Sequence, residues 1–414
     1  MRTLFFACAS LASLLLAACT SDASLDEETG ELGSMHDVLL VGNSLAGTVS
    51  FVDGHSYANL GSVDVLPDLE QRLADIKSNP IHAIVYAIVT SRQKIKHFEP
   101  ANGERFVDDL FVSPDGTRLY VSRSNLGDVA AFDLTDADHP MIWRHDVSGY
   151  KADHATLSPD GTRLVVSATA SDKAEVLDAA TGALVGSFAT GHYPHQNDYS
   201  ADGKHIYNGS IGDVSLPSAL GFLKGFRKVT VVDATTLATV RTYWFSEGIR
   251  PAVITADEKT MYAQLSYLNG VIRYDLDKGA ITTTVDEPLS AFAKATYPTR
   301  DDYPHDSAHH GLALSGDGTR LCDAGTIDDT VSIVTTADMK VQSTVDVGII
   351  PYWATTSVDG TACFVSISGD NAVRVVDYAT GQVTATIPVG AFPQRNRLAR
   401  VPDGVISLLS SSPG

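Results

Sequence analysis

Cysteine is scarce in this sequence: four residues in 414, at positions 8, 19, 322 and 363. No Cys-x-x-Cys pair, no Cys/His zinc spacing and no Cys-x-x-Cys-His haem attachment occurs, which excludes zinc ribbons, dithiol redox motifs and c-type haem. Basic residues are also few. Thirty Lys and Arg face fifty Asp and Glu, for a net charge of -20. Such a surface repels a phosphate backbone, so no nucleic-acid partner is expected. Apolar runs of membrane-spanning length are missing too; the N-terminal run, Leu4 to Leu16, is too short for a stable bilayer helix. Neither Gly-x-Ser-x-Gly nor the phosphate loop Gly-x-x-x-x-Gly-Lys-Ser/Thr is present. With 44% hydrophobic residues, the chain still has ample material for a packed core.

The first residues read as a targeting segment. Arg2 supplies a short positive region, the apolar run follows, and Leu16-Ala17-Ala18-Cys19 closes it. That tetrapeptide resembles a bacterial lipobox, in which cleavage precedes a cysteine that is then acylated. The resemblance implies a signal peptide over residues 1–18, lipidation at Cys19 and membrane attachment through that lipid. Thr20 comes next; bacterial lipoproteins without an acidic residue there go to the outer membrane. The implied location is the cell envelope, facing the periplasm or the exterior. Residues 19–36 are small, polar and acidic, as a flexible tether requires.

A turn followed by a strand then recurs along the chain. It reads SPDGTRLYVS at 113–122, SPDGTRLVVS at 158–167, SADGKHIYNG at 200–209 and TADEKTMYAQ at 255–264. It returns as SGDGTRLCDA at 315–324, SVDGTACFVS at 357–366 and VPDGVISLLS at 401–410. The turn aspartates, Asp115, Asp160, Asp202, Asp257, Asp317, Asp359 and Asp403, are spaced 45, 42, 55, 60, 42 and 44 apart. A period in the forties with short alternating strands predicts four-stranded propeller blades. A second signature, such as GDVAAFDL, KVTVVDAT or NAVRVVDY, supplies the third strand. The first unit, HDVLLVGNS, has no inner strand before it, and RNRLARV at 395–401 supplies one. The expected fold is all-β: seven four-stranded antiparallel blades in one domain over 37–414, closed by N- and C-terminal strands in a composite blade. The tail VISLLS is a second candidate for the slot of the N-terminal strand, and the sequence leaves the choice open. Cys322 and Cys363 fall on the second strands of blades six and seven with opposite parity. They either face each other as a disulfide or both point away.

The SPDG turns, the LYVS- and VVD-type strands and the G-x-x-P lead-ins at Gly191–Pro194 and Gly348–Pro351 resemble the YVTN family of seven-bladed propellers. Related propellers include surface-layer proteins, lactonase-like proteins and the amino-terminal domain of nitrous-oxide reductase. The resemblance implies the fold; function has to come from a site.

Three connections exceed what the repeat needs: 66–104, which reads as helical, 210–226 inside blade four, and 286–306 between blades five and six. Blade topology puts all three on one face, where binding loops and lids belong. The same face carries the start of each inner strand. Seven residues before the turn aspartates stand Asp108, Asp153, His195, Arg250, His310, Tyr352 and Asn396, all polar. Beside them are Asp109, His154, Gln196, His309, Arg395 and Arg397. Any propeller channel needs a polar lining, but imidazole and guanidinium groups are denser here than solvation requires.

Five of the thirteen histidines lie in two clusters, Gly191-His192-Tyr193-Pro194-His195 and Tyr303-Pro304-His305-Asp306-Ser307-Ala308-His309-His310. Imidazole is both a metal ligand and a base near neutral pH. His195, His305, His309 and His310 are the candidate ligands of a divalent or copper ion. Nitrous-oxide reductase places copper-binding histidines at this mouth, but its second copper domain has no counterpart here, so that activity is not expected. The leading expectation is a monomer that binds a small polar or anionic ligand, or a metal, at the channel mouth. Arg250, Tyr352, His154, Asp109, Asn396, Arg395 and Arg397 would contact the ligand. A hydrolase or lyase in the same pocket is the alternative, with His195 or His310 as base, Asp108 or Asp153 orienting it and Arg250 clamping an anion. A protein–protein platform on the outer loops needs none of these groups.

Overall fold

The computed structural model describes residues 33–91 and 103–410. The expected signal peptide, Cys19 and most of the tether lie outside the described residues. Seven antiparallel four-stranded sheets form a ring. In blade one the C-terminal strand Pro393–Pro402 is innermost, followed by Met35–Asn43, Thr48–Asp53 and Asn59–Asp64. The first strand of every blade touches those of both neighbours in a closed circuit. Met35 and His36 already pair with Pro402 and Val401, so the blade begins two residues inside the expected tether.

The repeated turn has one cause. In the first copy the Asp115 carboxylate accepts from Thr117 N at 3.1 Å and from Ser113 Oγ at 2.5 Å, while Arg118 N donates to Ser113 Oγ at 3.0 Å. Gly116 takes φ +74°, a conformation that favours glycine. Alternate residues of the strands that follow pack between blades. Val38, Leu40 and Phe51 meet Leu110, Val121 and Phe132 across blades one and two. Fully burying each such side chain contributes about 1.5–3 kcal/mol. Between blades six and seven, Cys322 and Cys363 face each other and form a disulfide.

Among the described residues four α-helices decorate the ring: α1 (Leu69–Ser78), α2 (Pro80–Ser91), α3 (Ala291–Thr296) and α4 (Asp403–Leu409). The first two form the helical part of insertion 66–104. Buried Arg72 of α1 ties them to blade two through Asp128 at 2.9 Å and Asp146 at 2.7 Å. Helix α4 corrects the expectation for the tail. Met35–Asn43 pairs on both edges, with Thr48–Asp53 and with Pro393–Pro402. With that slot filled, the tail bonds its own backbone as a helix. Val405 and Leu409 join the core of blade one.

Candidate functional site

Where the inner strands begin, a cavity of about 720 Å³ opens, a size typical of small-ligand sites. All three insertions wall it: Val85, Ile88 and Val89 from α2, Ile211, Val214 and Leu216 from the second, Tyr303 and His305 from the third. The wall mixes these apolar side chains with the carboxylates of Asp213, Asp301 and Asp302. The floor is built differently.

Six of the seven equal-offset residues line this cavity: Asp108, Asp153, His195, Arg250, His310 and Tyr352. Asn396 does not. Its amide donates to Ser366 Oγ at 2.8 Å between blades one and seven, and Gln394 and Arg395 line the floor instead. Ten residues separate Pro393 from Asp403, against eight from Pro194 to Asp202 and from Pro351 to Asp359. The closing strand is longer, so a count back from its aspartate lands too deep.

Apart from Arg395, the adjoining residues point away from the cavity, as alternation along a strand demands. Asp109 pairs with Arg397 at 2.8 Å, so neither lines the floor. Gln196 bridges to the Ala252 backbone, its Nε2 donating to the carbonyl and its Oε1 accepting from the amide, both at 2.8 Å. His309 turns to Asp323, 2.8 Å from its Nδ1, and is not a co-ligand of His310. His154 is fully buried beneath the floor, its ring 4.0 Å from that of His195 and in contact with the Arg395 guanidinium. His192 stands in the wall, where its Nδ1 accepts from Phe226 N at 2.9 Å.

Two imidazoles form the centre. His195 Nδ1 lies 3.2 Å from Asp153 Oδ1. His310 Nδ1 lies 2.9 Å from the Tyr352 carbonyl oxygen. Both partners accept, so each Nδ1 carries the proton and each Nε2 presents a lone pair. The two Nε2 atoms stand 3.2 Å apart. Arg250, on the intervening blade five, donates to the His305 carbonyl and, at 3.1 Å, to Ser266 Oγ.

Burial, reinforced by Arg395, keeps His154 and His310 well below the ordinary imidazole range. Burial also lowers His195, against the pull of Asp153. His305 is pushed down to about 3 by burial and by Arg105, Arg250 and Lys151. For Asp153, burial opposes the charge, but His195, Lys151 and Arg395 outweigh it and hold the carboxyl well below its usual value. Asp108 goes the other way, to about 6, through burial and the neighbouring Asp153 charge.

Arg105 and Lys151 were not legible as site residues. They precede Asp108 and Asp153 by three and two positions, in lead-ins outside the repeat; a search of those lead-ins for cations would have found them. The cavity lining thus gathers four buried cations, Arg105, Lys151, Arg250 and Arg395, against three buried carboxylates, Asp108, Asp153 and Asp306, the last of which is paired with buried Lys224.

A metal ion fits this floor in ligand type but not in charge. Two imidazole nitrogens 3.2 Å apart suit neighbouring ligands of one tetrahedral ion. His154 is within reach of both, but the Arg395 guanidinium caps it. The four surrounding cations oppose an added ion unless an anion comes with it.

The chain matches no protein-family model and no curated protein. The ring of seven four-stranded blades is the part of the YVTN resemblance that the structure bears out.

Proposed function

We propose that this chain is a lipid-anchored envelope propeller of the YVTN type whose mouth cavity binds a small organic anion. The observation that carries the binding reading is the floor's charge. With the imidazoles neutral and Asp306 neutralised by buried Lys224, four buried cations against the Asp108 and Asp153 carboxylates leave an excess of two positive charges, in a protein whose net charge is -20. Uncompensated buried charge is costly, and a carboxylate or phosphate group on the floor would compensate it with charge-assisted hydrogen bonds. A screen of small carboxylates and phosphates by thermal shift, followed by calorimetry, tests this. Arg250→Ala combined with Arg395→Ala should weaken the best ligand at least tenfold. Unchanged affinity would remove the reading.

One further observation favours a hydrolase or lyase acting on such an anion. Asp153 orients His195 as it would a general base, and Asp108, with its raised pKa, is a nearby acid. Environments that push two carboxyls in opposite directions are the pattern of an acid and base pair. In that reading Arg250 holds the substrate's charged group. Turnover of a bound ligand, lost in His195→Ala but not in Phe222→Ser on the exposed rim, separates catalysis from binding.

A further inference from the structure

A second cluster of metal-type ligands lies outside the cavity, at the base of the third insertion. Glu287 follows the outer strand of blade five, His309 precedes the inner strand of blade six, and Asp323 lies on the second strand, Arg320–Gly325. One ligand atom from each lies within 4.8 Å of the other two. Most of the hydrogen-bonding capacity here is taken. Asp323 Oδ1 accepts from Gln264 Nε2 at 2.5 Å and faces His309 Nδ1 at 2.8 Å. Glu287 Oε2 accepts from Ser332 Oγ at 2.5 Å. That leaves Asp323 Oδ2 and Glu287 Oε1 buried with no hydrogen-bond partner, and Asp323 is 0% exposed.

The charge environment is one-sided. Besides each other, the charged groups that act most strongly on Glu287 and His309 among the described residues are Asp323 and Asp328, both acidic. A protonated His309 would neutralise one carboxylate but leave both orphaned oxygens unbonded. Buried acceptors in that state call for a cation. We propose that Glu287, His309 and Asp323 bind a divalent transition-metal ion of the zinc or manganese class. One imidazole with two carboxylates is a donor set for such ions rather than for soft copper(I), which prefers sulfur.

The placement gives the ion a role. Glu287 and His309 stand at the two ends of the insertion that carries His305 to the cavity wall, and Asp323 belongs to the rigid blade. The ion would clamp both ends of that loop to blade six. Through the single peptide step from His309 to His310 it would also fix the imidazole that faces His195.

The test uses the full chain, purified without an affinity tag or chelator and dialysed separately against Zn²⁺ and Mn²⁺, with bound metal measured by elemental analysis. About one equivalent of one of these ions is expected, bound at least tenfold more weakly in His309→Ala. Partly exposed Glu287 offers a gentler variant: Glu287→Gln should keep the wild-type far-ultraviolet circular dichroism and lose the ion. A His195→Ala, His310→Ala double variant should retain it. Chelation should raise amide exchange across 287–309 in the wild type and leave Glu287→Gln unchanged. Wild-type protein that binds no stoichiometric Zn²⁺ or Mn²⁺ would overturn the proposal. So would an ion that survives Glu287→Gln and vanishes from the double variant, since its ligands would then be in the cavity.

Discussion

His195 and His310 are 115 residues apart, on blades four and six, yet their Nε2 atoms lie 3.2 Å from each other. Asp153 and the Tyr352 carbonyl occupy the two Nδ1 atoms. The neutral pair therefore holds two lone pairs face to face, an arrangement that one proton between them relieves. Four surrounding cations keep that proton off. An anion on the floor offsets them and raises the affinity of the pair for a proton. Ligand binding near pH 7 should thus take up between zero and one proton. Calorimetry in two buffers of different ionisation enthalpy measures it, and on an Asp108→Asn background, where that carboxyl takes up no proton, the uptake should vanish in His310→Ala. Identical heats in both buffers for the wild type would contradict the assignment.

Asp108 sets a second pH dependence. Its carboxyl is pushed up to about 6 by burial and by the Asp153 charge. A folded-state pKa above the unfolded value means stability is greatest at low pH and declines as pH rises through 6. Anion affinity has the same sign, because protonating Asp108 removes a negative charge from the floor. Sulfate, whose own charge is constant across this range, is a suitable probe. Its affinity should rise as pH falls from 7 to 5. Asp108→Asn should flatten that step and bind sulfate several-fold more tightly at pH 8.

The blades were legible because their turns repeat in chemistry as well as in period, and the composite blade because the first unit visibly lacks an inner strand. The failures have local causes. The tail 405–410 has an apolar pattern that suits either a strand or a helix, and only the occupied ladder of Met35–Asn43 decides between them. Asn396 was misplaced because the closing strand carries two more residues than its counterparts in blades four and seven. His309 and His310 look like one site in sequence, but neighbours on an extended chain point to opposite sides. Arg105 and Lys151 come from lead-ins that share no motif. A ring of equal offsets thus locates a cavity, while its charge depends on residues that the repeat does not index.

The helical insertion is held to the ring by charge as well as by the packing of Ile76 on Phe106 and Leu126. Arg72 is 2% exposed and spans Asp128 and Asp146, while Arg123 also reaches Asp128 at 2.7 Å and Asp68 at 2.5 Å. Arg72→Met removes one of the two guanidinium groups from buried Asp128, which keeps Arg123, and should destabilise this region by about 1.5–3 kcal/mol. The effect should be local: amide exchange rises over 69–91 while the strands of blades four to seven stay protected. Ligand affinity should fall with it, because Val85, Ile88 and Val89 wall the cavity. A uniform loss of protection around the ring would show that the insertion is part of the core.

The Cys322–Cys363 disulfide should make stability depend on redox state. It closes a loop with a sequence separation of 41, for which loop-closure entropy gives about 4 kcal/mol. Reductant, or Cys322→Ala with Cys363→Ala, should lower the denaturation midpoint accordingly, and never-reduced protein should show neither of these thiols in denaturant.

Anchoring can be tested independently of the ligand. In Cys19→Ser the residue proposed to carry lipid is gone, while the propeller, whose first described strand begins at Met35, is untouched. The variant should accumulate unprocessed or unlipidated and lose acyl labelling, yet bind ligand and resist thermal denaturation like the wild type, because no strand or floor residue changes. Labelled acyl chains that persist on Cys19→Ser would place lipidation elsewhere. An unlabelled wild type would remove the anchor. Neither result bears on the cavity: the first strand runs from Met35, at the far end of the ladder with Pro393–Pro402, toward Asn43 beside Pro393. The chain thus enters the ring on the face opposite the mouth.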